Sequence, residues 1–267
     1  MEKIDQPRIF YPANDKPLTD GRDWATFINL LNEDYHNLHN RVRMQYDRAA
    51  AYLFERIDRA GAAAGLGMRL AALPEAVRRN VQNALEEPAA VILQDLEKQY
   101  PDSFHDKTLI IECARGGKEG SAMPLAAPQG YQFSLAYLSN DLLEHAAVLY
   151  IRCTPEQSRA RNSQRSKGNT DQASNLFHGV PLDVMLEDYG CDDMLYLLKT
   201  SDIKNTITLQ AHGRTYHLPV GVFDNREDHT SFLRRDKSTW TKAEIDTVTQ
   251  GIRTATDAMW SQYKNQP

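Results

Sequence analysis

The stretch "LIIECARGGKEGSA" (Leu109–Ala122) decides how the fold is read. An aliphatic run breaks abruptly into an acid, an arginine, two glycines, a lysine, a second acid and a glycine. A strand that only fills a core needs none of those polar groups. A strand that ends at an active site needs most of them, because ligands in open α/β sheets bind beyond the carboxyl ends of the strands. "TLIIEC" (Thr108–Cys113) is therefore expected to be a buried strand, with Glu112, Arg115, Gly116, Gly117 and Lys118 forming a rim at its end.

Working outward, "AVLYIRC" (Ala147–Cys153) reads as a second buried strand. Neither strand alternates polar with apolar residues, the pattern of a parallel sheet covered on both faces. "YQFSLAYLSNDLLEHA" between them reads as a helix and another helix begins at Thr154, so the order is strand, helix, strand, helix. Upstream, Arg8–Tyr11 is a candidate strand before a turn-prone segment. From Trp24 to about Tyr100, apolar residues recur at helical spacing, interrupted at Gly61, Gly65 and Gly67. Pro74 suits a helix start and Pro88 a kink or break. Downstream, polar Ser166–Asn175 reads as a mobile loop, and two short helices fall within Pro181–Gly190 and Cys191–Ser201. "TITLQAHGRTYHLPVGVF" reads as a hairpin turning at His212-Gly213. A last helix opens at Thr241, whose pairing with Glu244 is a capping-box pattern, and runs towards Tyr263. The expected organisation is a single α/β domain: 1–100 mainly helical, 101–200 a βαβ core with a lid, and 201–267 a hairpin and helix.

Composition narrows the function classes. The 267 residues are 41% hydrophobic and 25% charged, as for an ordinary soluble core, and suffice for one large or two small domains. A net charge of −5 argues against a general nucleic-acid binder, without excluding a local basic groove. No apolar run approaches the roughly 20 residues that span a bilayer, so no membrane partner is expected. "MEKIDQPRIF" lacks the basic-then-apolar layout of a signal peptide. Cys113, Cys153 and Cys191 form no CxxC pair, which fits buried thiols in a reducing cytoplasm.

In "YIRCTPEQSRARNSQRSKGN" a strand ends at Cys153 and Thr154-Pro155-Glu156 suit a helix start. Arg161 and Arg165 are four apart and share a helical face, with Lys167 beyond them. Two guanidiniums on one face make a clamp for a polyanion, above all a phosphate chain; a solvated basic face is the plainer alternative.

These residues, followed by "GVPLDVMLEDY", resemble the lid region of deoxynucleoside kinases and related P-loop small-molecule kinases. The matching positions are Pro155, Glu156, Arg161, Arg165 and Val180-Pro181-Leu182. The resemblance spans roughly residues 108–200. The family's earlier strand ends in Glu-Arg-Ser; here Glu112-Cys113-Ala114-Arg115 displaces the arginine by two positions. The resemblance implies a P-loop-kinase-type parallel-sheet sandwich, ATP and Mg²⁺ as cofactors, and a nucleotide or other small-molecule ligand. Glu112 would be the base, and Arg115, Arg161 and Arg165 would neutralise phosphate, with Gly116, Gly117, Lys118 and Lys167 assisting.

No segment matches GxxxxGK(S/T), the loop that wraps phosphates in such kinases. Gly116–Ser121 could form a nest of backbone donors instead. Lys16 and Thr19 lie in an N-terminal strand–loop–helix order that is either a degenerate phosphate loop or a plain connection. Asp192 and Asp193 suit water-mediated Mg²⁺ or a helix N-terminus. Asp224, Asn225, Arg226, Asp228 and His229 form either a substrate-facing loop or an ion-pair network. His36 and His39 share a helix face, as a metal pair or as surface residues. Tyr131, Phe133 and Tyr137 could stack a base or pack on the sheet. No Ser/His/Asp triad is visible. Two functions remain: phosphoryl transfer from a nucleoside triphosphate to a nucleoside or other small hydroxyl substrate, or a non-catalytic kinase-derived domain holding a nucleotide, phosphorylated ligand or protein partner.

Overall fold

The computed structural model describes residues 8–167 and 179–264, and the side chains of 165–167 lie outside that description. The chain gathers into two compact units, one comprising Met1–Ala114 with Tyr137–Ser139, the other Arg115–Ala136 with Asn140–Pro267.

The first unit is built on three helices, α1 (Asp23–Asn40), α2 (Ala49–Ala63) and α3 (Glu75–Lys98). Helix α1 stops where Arg41 takes a left-handed conformation (φ 54°) and its N–H returns to the Asn37 carbonyl. The start of α2 has no side-chain cap of its own; Glu86 on α3 supplies one, accepting from the N–H groups of Ala49 (2.7 Å) and Ala50 (3.2 Å). Just inside that cap, small Ala49, Ala50 and Ala89 pack with Leu93, and Tyr52, Leu53 and Leu96 close over them. Pro88 removes one backbone donor, yet α3 continues through it to Lys98. Buried charges are paired in place: Asp23 is fully buried against Arg69, and Arg56 meets Glu33 (3.1 Å) and Asp34 (2.5 Å).

The second unit carries a three-stranded sheet in the order β1-β3-β2: β1 (Val148–Arg152), β2 (Thr206–Ala211) and β3 (Arg214–Asp224). Strands β2 and β3 form the expected hairpin, with His212 (φ 51°) and Gly213 (φ 73°) supplying the two left-handed residues of a tight turn. β1 runs parallel to β3, Val148 opposite Val220 and Arg152 opposite Asp224. Around the sheet lie α4 (Gly130–Leu135), α5 (Asn140–His145), α6 (Pro155–Lys167), α7 (Leu182–Glu187), α8 (Met194–Thr200) and α9 (Lys242–Tyr263). Helix α9 starts at the Thr241–Glu244 capping box and lies directly on β3. A Cβ at Gly221 would overlap the Ala255 carbonyl, and one at Gly251 the Phe223 ring, so these glycines set the closeness of that packing.

This architecture overturns the expected parallel-sheet sandwich of P-loop-kinase type: the sheet is small and mixed, with a single parallel pair. Thr108–Cys113 is not a strand. No described strand pairs with it, and Leu109, Ile110 and Ile111 are 44, 84 and 37% exposed. An aliphatic run becomes a strand only when a neighbour accepts its backbone hydrogen bonds. β1 is a strand, but at the sheet edge, and Leu149 and Ile151 on its outer face are exposed. Arg8–Tyr11 is irregular as well. The single helix expected over Tyr131–Ala146 is two short ones, α4 and α5, because Tyr137–Ser139 turns to join the first unit. There the Asn32 carboxamide donates to the Tyr137 carbonyl (2.7 Å) and accepts from the Ser139 N–H (2.9 Å).

Candidate functional site

The two parallel strands end side by side, and the segments that follow them define the site. The Asn225 N–H donates to the Arg152 carbonyl (2.8 Å), extending the β1–β3 ladder by one rung. After β1 the chain turns into α6 through a second capping box: the Gln157 N–H donates to Thr154 Oγ1 (3.2 Å), and Gln157 Oε1 accepts from the Thr154 N–H (3.1 Å). The Gln157 amide also reaches across to the Arg226 carbonyl, tying the start of α6 to the loop after β3.

That loop is organised by Asn225, whose residue is only 1% exposed. Its Oδ1 accepts from the His229 N–H (2.8 Å) and its Nδ2 donates to Thr230 Oγ1 (2.8 Å). Asp228, held at φ 54°, then faces α6. Arg161 on α6 donates to Asp228 Oδ1 (2.7 Å) and to Cys153 Sγ (3.0 Å), while Ser231 Oγ donates to Asp228 Oδ2 (2.5 Å). The Ser231 hydroxyl, and after it Arg161, hold the Asp228 carboxyl below the usual carboxylate range. Asp224 is held by Arg226, whose guanidinium lowers its pKa to about 2, with Arg152 3.7 Å away. The Asp224–His229 segment is thus an ion-pair network.

Beside this network opens a cleft of about 480 Å³, between the loop after β3 and the first turns of α9. Asp228, His229, Ser231 and Phe232 form one wall; Arg235 and Glu244, themselves ion-paired, stand among its other lining residues. The Phe232 ring meets Trp240 edge-on, and the Arg235 guanidinium lies 6.0 Å above its centroid. The volume falls in the range of small-molecule sites.

The residues singled out in the sequence are dispersed. Glu112 is exposed in an irregular segment of the first unit, whereas Arg115 opens the second. Arg115 is buried, its Nε donating to Ser134 Oγ (2.8 Å). It also faces Asp188, whose carboxyl burial raises above its ordinary value although Arg115 opposes the shift. Gly116 and Gly117 form a bridge: the Gly117 N–H donates to the Cys191 carbonyl (2.9 Å), and the Gly117 carbonyl accepts from Gly190 (2.9 Å) and Cys191 (3.1 Å). A Cβ at Gly116 would strike the Cys191 carbonyl, so close backbone approach demands glycine there. Lys118 pairs with Glu187 at 3.1 Å on the surface. Arg161 alone of the candidates stands at the strand ends with its partners described. The side chains of Arg165 and Lys167, and most of the Ser166–Asn175 loop, lie outside the described residues.

Asp192 and Asp193 act as caps. Asp193, fully buried, accepts from the Tyr131 (2.6 Å) and Gln132 (3.1 Å) N–H groups at the start of α4. Asp192 accepts from the Met194 N–H and the Tyr150 hydroxyl, both at 2.9 Å. Burial raises both the Asp192 carboxyl and the Tyr150 phenol above their ordinary values. His36 lies beside Asn40, and His39 stacks on Phe104; among the described residues no group of three His, Cys, Asp or Glu side chains could hold a metal ion. None of the three cysteines is in a disulfide, and all are half-buried rather than fully buried. Asn225 is singled out in the sequence only as one member of the Asp224–His229 cluster, not as its organiser, and one organising residue escapes the sequence reading altogether. That residue is Asn162, which brackets Val180 by donating to its carbonyl (2.6 Å) and accepting from its N–H (2.7 Å).

No helix among the described residues is long and apolar enough to cross a membrane. No protein-family model, curated protein or solved structure matches the chain.

Proposed function

We propose that the second unit binds a phosphorylated small molecule in the cleft beyond the carboxyl ends of β1 and β3. The observation that carries this reading is the disposition of two arginines, Arg161 and Arg235, each oriented by a carboxylate lining the cleft, Asp228 and Glu244 respectively. Guanidiniums held by carboxylates lose less side-chain freedom when they bind phosphate, and a fork of N–H donors matches phosphate oxygens. Phe232 offers an apolar wall for the rest of the ligand. Arg161 is also one of the two lid arginines, with Arg165, that the kinase-lid resemblance names, so a nucleotide is the first probe.

Phosphoryl transfer is the second reading, favoured by that same coincidence, with ATP as donor and no base assigned. A protein-held Mg²⁺ does not fit the cleft, since Asp228 and Glu244 are already engaged by arginines and by hydroxyl or backbone donors.

Calorimetric titration with ATP, with and without Mg²⁺, tests the binding reading. Arg161→Ala and Arg235→Ala should each weaken binding about 10- to 100-fold, the worth of a charge-assisted hydrogen bond. Lys118→Ala should leave it unchanged. Folded arginine variants that bind as tightly as the parent, or a parent that binds no phosphorylated probe, would refute the assignment. Turnover of ATP with a nucleoside acceptor, abolished in Arg161→Ala, would establish transfer in addition.

A further inference from the structure

A second cavity lies in the same unit, away from the arginine-flanked cleft. It is an open groove of about 510 Å³ among α8, β3 and α9. Its apolar lining is wholly aliphatic: Leu195 and Leu198 from α8, Val220 and Val222 from β3, Ala255 and Ala258 from α9. The groove exists for a structural reason. β2 pairs with β3 only as far as Thr206 opposite Pro219, and the Val220 N–H still reaches the Asn205 carbonyl (2.8 Å), so β3 runs on without that neighbour from Gly221 to Asp224. Small alanines at successive turns of α9 leave the space beside it open.

The polar lining of the groove carries one sign. Lys199, in the last turn of α8, and Lys204, just before β2, both line it, and both are exposed. Neither joins an ion pair among the described residues. The dipole of α8 favours a cation at Lys199, but nothing comparable accounts for Lys204. Asn205, next to Lys204, is a further lining residue. No aromatic ring and no guanidinium lines the groove, so neither stacking nor a bidentate phosphate fork is on offer. What fits is an apolar chain without a ring, ending in one small anionic head.

We propose that this groove binds an unbranched aliphatic carboxylate, its chain along the Leu195–Val222–Ala258 surface and its carboxylate at Lys199, Lys204 and Asn205. The site is independent of the phosphate cleft, and each can fail without the other.

The test is calorimetric titration of the full chain with hexanoate, octanoate and decanoate, with octanol as the uncharged control. Burial of each added methylene should tighten binding about fourfold while the groove has room. The double variant Lys199→Ala/Lys204→Ala should weaken octanoate at least tenfold and leave octanol unchanged. Ala258→Leu, which fills the groove from α9, should abolish binding of both. Circular dichroism and the thermal midpoint identify variants that remain folded, and Ala258→Val is the milder replacement if the leucine variant does not. Affinity that ignores chain length, or that survives Ala258→Leu in a folded protein, overturns the proposal. So does a groove that takes only an acidic amphipathic peptide, or one buried in a concentration-dependent dimer that Ala258→Leu disperses.

Discussion

Asn225→Ala should loosen the loop on which the cleft depends. The carboxamide makes two hydrogen bonds of 2.8 Å, to the His229 N–H and to Thr230 Oγ1, in a residue almost fully buried. Truncation leaves the His229 donor without its acceptor inside the loop, at about 1–3 kcal/mol for a buried group. The Thr230 hydroxyl is half-buried and can turn to water, so its loss falls at the low end, about 0.5–1 kcal/mol. Together these place the change at about 1.5–4 kcal/mol. At a urea slope of about 2 kcal/mol per molar, the midpoint should fall by about 0.8–2 M. The assay is urea unfolding followed through Trp240 fluorescence, with Trp24 and Trp260 replaced by Phe. Thr230→Val removes one of the two bonds and should cost about 1 kcal/mol. The double variant should fall short of the summed effects, because the two side chains share that bond. Since Asp228 follows in the same loop, Asn225→Ala should also weaken phosphate binding through Arg161. A midpoint within about 0.2 M of the parent would refute the role of Asn225 as organiser.

Gly251→Ala places a methyl group against the Phe223 ring and should lower stability by about 1–3 kcal/mol through overpacking, read as a lower thermal midpoint. Two carboxylates should act on stability at opposite ends of the acid range. Asp192 has a raised pKa when folded, so above the ordinary carboxylate pKa the unfolded chain releases its proton first. Its contribution is intact at low pH and lost as pH rises through the folded value, and Asp192→Asn should flatten that decline in melts between pH 4 and 7. Asp224, lowered to about 2 by Arg226, contributes above the unfolded pKa and loses that contribution as pH falls towards 2; Asp224→Asn should remove this acid-side loss. Asn162→Ala should expose the Val180 N–H, whose hydrogen exchange is expected to accelerate while that of the β3 core is unchanged.

What the sequence determined by itself is what neighbours a few residues apart can settle. The His212-Gly213 turn and the Thr241–Glu244 cap are local patterns, and both are present; the helical spacing from Trp24 to Tyr100 is met by three helices, but residues 41–48, read as helical, are an irregular connection. The Thr154–Gln157 box is equally local and follows the expected helix start at Thr154. Tertiary structure decided the rest, because each remaining outcome hangs on a partner remote in the chain. Leu109–Ile111 has strand composition but no described strand beside it, and the aliphatic character of β1 is that of an edge. Close backbone approach by the Cys191 carbonyl demands glycine at 116, and the Gln129 and Leu125 side chains crowd the position of a Cβ at 117. Asp193 caps a helix some sixty residues before it, a bond that spacing cannot announce. Arg161 was legible as a cation on a helix face, whereas its partner Asp228 was assigned by the fold, which brings two parallel strand ends together. Hydrogen-bond geometry is local, but the choice of partner is set by packing, and packing is a property of the whole folded unit.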